Sequence, residues 1–236
     1  MKYFGERDVN EEPLGEDFYN KTMPTIFFGM AIWAFSALFF SGFITGKPIV
    51  PSLGIIITLT ILYFVIWIAT MILAGKRQNE IARVLFFSAS FITGILNSFI
   101  LLSGALEVGL GLARDLFTVA SIIGVFAVGS ALAIGYMFRR NFSLKYIYSF
   151  MIFGVIIISM EWILSIFLNQ SSGWVIFISI LSLIWILGIT LYDGATLSAK
   201  IGAGYWMMAV IDVFLDLVVV IIRIFIILVR IFAESK

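Results

Sequence analysis

The chain has no histidine and no cysteine. Their absence removes the usual zinc, haem and copper ligands, histidine and cysteine catalysis, and any disulfide framework. Charge is also scarce: Asp, Glu, Lys and Arg make up 12% of the 236 residues, against about 25% in a typical soluble domain. The net charge of +1 gives no reason to expect a nucleic-acid partner. The first 22 residues lack the apolar core of a cleavable signal peptide, being polar and acidic (Glu6, Asp8, Glu11, Glu12, Glu16, Asp17). No internal repeat and no low-complexity linker is visible.

What is present is apolar: 62% of the residues are hydrophobic, and they fall in blocks. Each block is about 20 residues long, enough to cross a bilayer core as a helix. This predicts an all-α membrane protein, a single seven-transmembrane-helix bundle with the lipid bilayer as its partner. The spans are placed at residues 24–45, 52–74, 84–103, 116–138, 146–168, 174–192 and 205–232. Residues 1–23 then form a polar acidic cytoplasmic segment, 24–232 the transmembrane domain, and 233–236 a short tail. A turn is expected at 46–51 and a glycine-rich connection at 104–114.

Orientation follows from the distribution of Lys and Arg. Ten fall on one side (Lys2, Arg7, Lys21, Lys76, Arg77, Arg83, Arg139, Arg140, Lys145, Lys200) and four on the other (Lys47, Arg114, Arg230, Lys236). The N-terminus is therefore expected inside and the C-terminus outside, with the short tails pointing to a prokaryotic cell membrane. Trp174, Tyr205 and Trp206 are candidate interfacial anchors. Small residues four apart (Ser90, Gly94, Ser98; Ala127, Ala131, Gly135) mark spans three and four as closely packed scaffold.

Function is read from acids placed where a membrane chain tolerates them least. In span seven, Asp212, Asp216, Arg223 and Arg230 form one polar stripe, successive members lying about 20–40° apart on a helical wheel. Such a stripe belongs inside the bundle, which makes the last helix central. Asp193 closes span six, and antiparallel packing of spans six and seven brings it towards Asp212 and Asp216. Two carboxylates in a partly dry site share a proton, and when ionised they suit a hard cation such as calcium. Asp193, Asp216 and Asp212 are thus candidate metal ligands. The competing reading is that the acids neutralise Arg223 or cap helix ends. Glu161, midway along span five, either lines the same cavity or bonds to a neighbouring helix. Lys76 and Arg77 end span two on the face where Asp193 emerges, as a latch for that acid or as ordinary positive-inside anchors.

The residues resemble the Bax inhibitor family of transmembrane proteins. Ile211-Asp212-Val213-Phe214-Leu215-Asp216 is similar to its last-helix motif, and Leu191-Tyr192-Asp193 to the Tyr/Phe-Asp that closes its sixth helix. Phe91-Ile92-Thr93-Gly94 is similar to its third-helix Phe-Leu-Thr-Gly. Gly135-Tyr136 with Arg139-Arg140 and Phe142-Ser143 follows the end of its fourth. The likeness is co-linear over residues 24–232. It implies two three-helix layers around a central C-terminal helix, and a pH-sensitive calcium leak. It further implies that Asp193 and Asp216 form a hydrogen-bonded pair, and that Lys76 or Arg77 pairs with Asp193.

The sequence departs from the family pattern in places. Gly194-Ala195-Thr196 follows Asp193 where the family has a polar pair such as Thr-Gln, and the long basic tail of animal members is missing. Ile226 stands where prokaryotic relatives often carry an arginine, with Arg223 earlier on the helix. Glu161 has no counterpart in the pattern.

The expectation is a passive leak of calcium regulated by protons, calcium being a transported or transiently bound ion and no cofactor being resident. Asp193 and Asp216 are its sensor and gate, Asp212 and Glu161 auxiliary cation sites, and Lys76, Arg77 and Arg223 candidate latches. An enzyme is not expected. Intramembrane aspartyl proteases also carry Tyr-Asp on one helix, but their second aspartate follows Gly-x-Gly and a later helix carries Pro-Ala-Leu. Here Asp216 follows Val-Phe-Leu, and Pro-Ala-Leu does not occur. A retinal photoreceptor needs a lysine in the last span, which holds only arginines. A non-transporting regulator that binds other membrane proteins is the remaining alternative.

Overall fold

The computed structural model describes residues 14–49, 52–139, 154 and 172–235. The predicted fifth span and Glu161 lie outside the described residues, apart from Gly154. Six α-helices are described: α1 (Met23–Phe40), α2 (Leu53–Gly75), α3 (Asn79–Val108), α4 (Leu110–Met137), α5 (Ser172–Gly202) and α6 (Trp206–Glu234). A π-helical turn, Phe18–Thr22, leads directly into α1. There is no strand among the described residues. α5 and α6 are the sixth and seventh predicted spans.

Among the described residues, five stretches are long and apolar enough to cross a membrane: Phe18–Phe40, Leu53–Gly75, Asn79–Val108, Leu110–Met137 and Gly173–Gly202. The chain is thus a multi-pass helical membrane protein. In lipid every backbone polar group must be satisfied within the protein, and the helix does this for each segment separately. Hydroxyls inside the spans follow the same rule by donating to the carbonyl one turn back. Thr70 donates to Ile66 at 2.7 Å, Ser90 to Phe86 at 2.8 Å and Thr93 to Ala89 at 2.7 Å.

Several helix edges differ from the sequence reading. Helical structure begins at Glu16, inside the segment assigned as a polar tail. Lys21 pairs with Asp17 one turn before it at 2.8 Å, Thr22 is buried, and Leu14 and Phe18 pack on the core. The connection expected at 104–114 shrinks to Gly109, whose φ of 93° breaks the helix between α3 and α4. The other glycines there, Gly104 and Gly111, remain helical. α5 continues to Gly202, well beyond the expected edge at residue 192.

α6 packs against each of α1 to α5 and is buried along most of its length. Its charged residues keep it from qualifying as a span on composition alone; the surrounding helices shield it instead. Trp206, expected at the membrane interface, is only 4% exposed and belongs to the core. Phe214 of α6 meets Phe86 edge-on at 5.0 Å between ring centres, and Trp67 at 6.0 Å. The outer faces carry bare apolar side chains such as Phe126 at 73% and Leu53 at 73% exposure. Such surface is suited to lipid.

Close approach between helices relies on the small residues. A methyl added at Gly94 of α3 would collide with the Ser36 hydroxyl and the Trp33 carbonyl oxygen of α1, and sit 3.1 Å from the Ala37 amide nitrogen. Gly135 of α4 is covered in the same way by the Leu191 carbonyl of α5.

The α2–α3 and α5–α6 turns share one end of the bundle. The Asn79 side-chain amide donates to the Gly204 carbonyl at 2.9 Å, and the Arg77 guanidinium lies 4.6 Å from the centre of the Tyr205 ring. At the other end Arg230 of α6 pairs with Glu107 of α3 at 3.2 Å.

Gly94→Ala is expected to destabilise the folded protein by about 1–3 kcal/mol through overpacking. Gly129→Ala, where nothing lies within 4 Å of the added carbon, should be neutral or slightly stabilising. Thermal unfolding in detergent checks both, and equal melting temperatures would contradict the α1–α3 contact. Because the chain has no cysteine, single substitutions report orientation cleanly. Lys76→Cys should react with an impermeant maleimide only from the cytoplasmic side, and Lys47→Cys only from outside; the reverse pattern would invert the topology.

Candidate functional site: an acid–lysine cluster between the last two helices

Asp193 lies inside α5, not at its end, because the helix continues through Gly194-Ala195-Thr196 and on to Gly202. Apolar packing carries it onward. Ala195, Leu197 and Ile201 are 4%, 6% and 5% exposed, and Gly194 sits so close to the Leu132 backbone of α4 that a side chain would not fit. This extension decides the chemistry of the site. Lys200, expected in a loop, is on the same helix seven residues after Asp193. Seven residues are about two turns, so both side chains share one face. Helical side chains lean towards the N-terminus, which sends the lysine stem back towards the acid.

The Lys200 Nζ donates to Asp193 Oδ1 at 2.7 Å and to Asp212 Oδ2 of α6 at 2.6 Å. The three side chains are 15%, 9% and 26% exposed, in the order Lys200, Asp193, Asp212. One ammonium therefore joins a carboxylate on α5 to a carboxylate on α6. Nζ also lies 5.9 Å from the centre of the Tyr192 ring. Charges this poorly hydrated persist only when paired and hydrogen-bonded, and the bridge supplies both conditions.

Asp216, one turn along α6 from Asp212, is 4% exposed and lies within electrostatic reach of Asp193, Asp212 and Lys200. The Thr190 hydroxyl of α5, which donates to the Ile186 carbonyl at 2.9 Å, is also a hydrogen-bonding neighbour of this carboxyl group. The other oxygen, Oδ2, is buried with no hydrogen-bond partner. Three carboxyl groups and one ammonium thus meet at the end of the bundle where the α5–α6 turn lies. With all four ionised their net charge is negative.

The expected acids Asp193, Asp212 and Asp216 come together at one end of the α5–α6 contact, but not in the expected way. Among the described residues no hydrogen bond joins Asp193 to Asp216; Asp193 is bonded to Lys200 instead. Nor do the three acids converge as a metal-ligand set, there being no group of three or more His, Cys, Asp or Glu able to hold a metal among the described residues. The Lys200 ammonium occupies the space between two of them.

The expected latch is also differently placed. Lys76 and Arg77 are exposed. Arg77, held at φ 60° by the tight α2–α3 turn, faces Tyr205 rather than Asp193. Arg223 is half-buried on α6 and engaged with other groups. Lys200 is the site residue that sequence reasoning missed, and its spacing of seven from Asp193 was the available signal.

A family model described as "Inhibitor of apoptosis-promoting Bax1" matches residues 15–236. No curated protein matches the chain.

Proposed function

The chain belongs to the Bax inhibitor family, and from that premise and the buried acid–lysine cluster we propose that it is a pH-sensitive passive calcium leak. The observation that carries this reading is the set of three carboxyl groups gathered between α5 and α6, with the Asp216 oxygen unpartnered and buried. Hard carboxylate oxygens suit calcium, and protons compete with calcium for the same oxygens. A leak controlled at this point therefore responds to both ions.

In this reading Asp193 and Asp216 are the sensor and gate, and Asp212 is an auxiliary cation site. Glu161 stays a candidate auxiliary acid on span five. Protonation weakens the carboxylates' hold on the cations between them, and with it the electrostatic tie between α5 and α6. Arg77 and Asn79 link the neighbouring α2–α3 turn to the α5–α6 turn, giving α2 a means to follow that movement. The cluster end is assigned to the cytoplasmic side of the membrane on the positive-residue count. The activity is transport, with no chemical conversion of a substrate.

In proteoliposomes holding the purified protein, Asp193→Asn and Asp216→Asn should each change calcium uptake several-fold and flatten its pH response. Uptake and pH response equal to the parent's in both variants would reject the sensor assignment.

A further inference from the structure

We propose that Lys200 is a tethered cation that holds the calcium position of the cluster, so that calcium binds only when the ammonium swings out. The inference rests on the calcium reading above and adds a built-in competitor to it.

Three observations carry it. The first is position. Calcium–oxygen bonds run about 2.3–2.6 Å, and Nζ lies 2.7 Å and 2.6 Å from oxygens on two different helices. A bare cation would fit at that point with little movement of either acid. The second is charge. One ammonium stands among three carboxyl groups, and the most buried of these keeps Oδ2 unpartnered. A divalent ion would neutralise more of the cluster than the single ammonium does. The third is attachment. Lys200 shares a helix with Asp193, so its ammonium is present at the high effective concentration of an intramolecular partner. It therefore weakens the apparent affinity for any cation arriving from solution.

Lys200 also has room to leave. It lies close to the end of α5, two residues before Gly202, and Gly202 and Ala203 are exposed. A flexible four-carbon stem can carry the ammonium to water there without moving the helix.

The test uses terbium as a luminescent calcium surrogate, sensitised by Tyr192, whose ring lies beside Nζ. Binding to the purified full chain is measured beside calcium uptake in proteoliposomes. Lys200→Met should bind terbium at least about tenfold more tightly than the parent and leak calcium faster, as loss of an intramolecular competitor requires. Lys200→Arg keeps the cation and should stay close to the parent.

Lys200→Met leaves its acids unpaired, and that variant can fail to fold. The parent therefore supplies a second measurement, the modification of Lys200 by an amine-reactive acylating reagent, read by mass spectrometry. Labelling should rise several-fold when calcium is added. Calcium flux in the parent with terbium affinity unchanged in Lys200→Met overturns the inference and leaves the leak standing. Tighter terbium binding in Lys200→Met with no flux from any form supports the inference and rejects the leak. Labelling of Lys200 that ignores saturating calcium also overturns the inference.

Discussion

One ammonium held between carboxylates of two helices is the contact on which this end of the molecule depends. Asp193 and Lys200 come from α5 and Asp212 from α6, and none of the three is well hydrated. Separating the helices would leave Asp212 without its cation and Lys200 with one carboxylate instead of two, a larger penalty than the loss of a fully exposed ion pair. The bridge therefore fixes how α5 lies on α6. In the proposed leak, an ion or proton that competes for the same oxygens acts on that arrangement.

The rest of the bundle gives this contact a rigid frame. α6 carries acids on one side and Phe214 on the other, about 160° away on the wheel. Phe214 is seated among Phe86 of α3 and Trp67 of α2. The central helix is thus clamped by aromatic packing on one face and by charge on the other. Further along, Phe225 meets Phe117 of α4 at 6.0 Å, and Arg230 meets Glu107 at 3.2 Å. Glycine seams bring α1 onto α3 and α4 onto α5 at backbone contact.

The membrane character, the central last helix and the three acids of the cluster were legible in the sequence, because each follows from a local pattern. Apolar blocks mark spans, and a polar stripe through one of them has to face inward. The cation was not legible, and the cause is local too. Asp193, Gly194, Thr196, Ser198 and Lys200 lower the hydropathy after Tyr192, which on pattern alone ends the helix there. Inward packing of Ala195, Leu197 and Ile201 keeps it going. On that pattern Lys200 falls in a loop and counts only for its sign, which leaves Lys76 and Arg77 as the expected latch. The same pattern makes a loop of 104–114, where only Gly109 leaves helical geometry.

The bridge itself can be observed in lipid without any variant of the acids. Solid-state NMR of the calcium-free protein in bilayers, labelled with ¹⁵N-lysine and ¹³C-aspartate, reports dipolar contacts between Lys Nζ and Asp Cγ. The account predicts that the Lys200 Nζ signal, assigned by its loss in Lys200→Arg, couples to two carboxyl carbons, those of Asp193 and Asp212. A Lys200 signal coupled to neither carboxyl carbon would contradict the account at its centre.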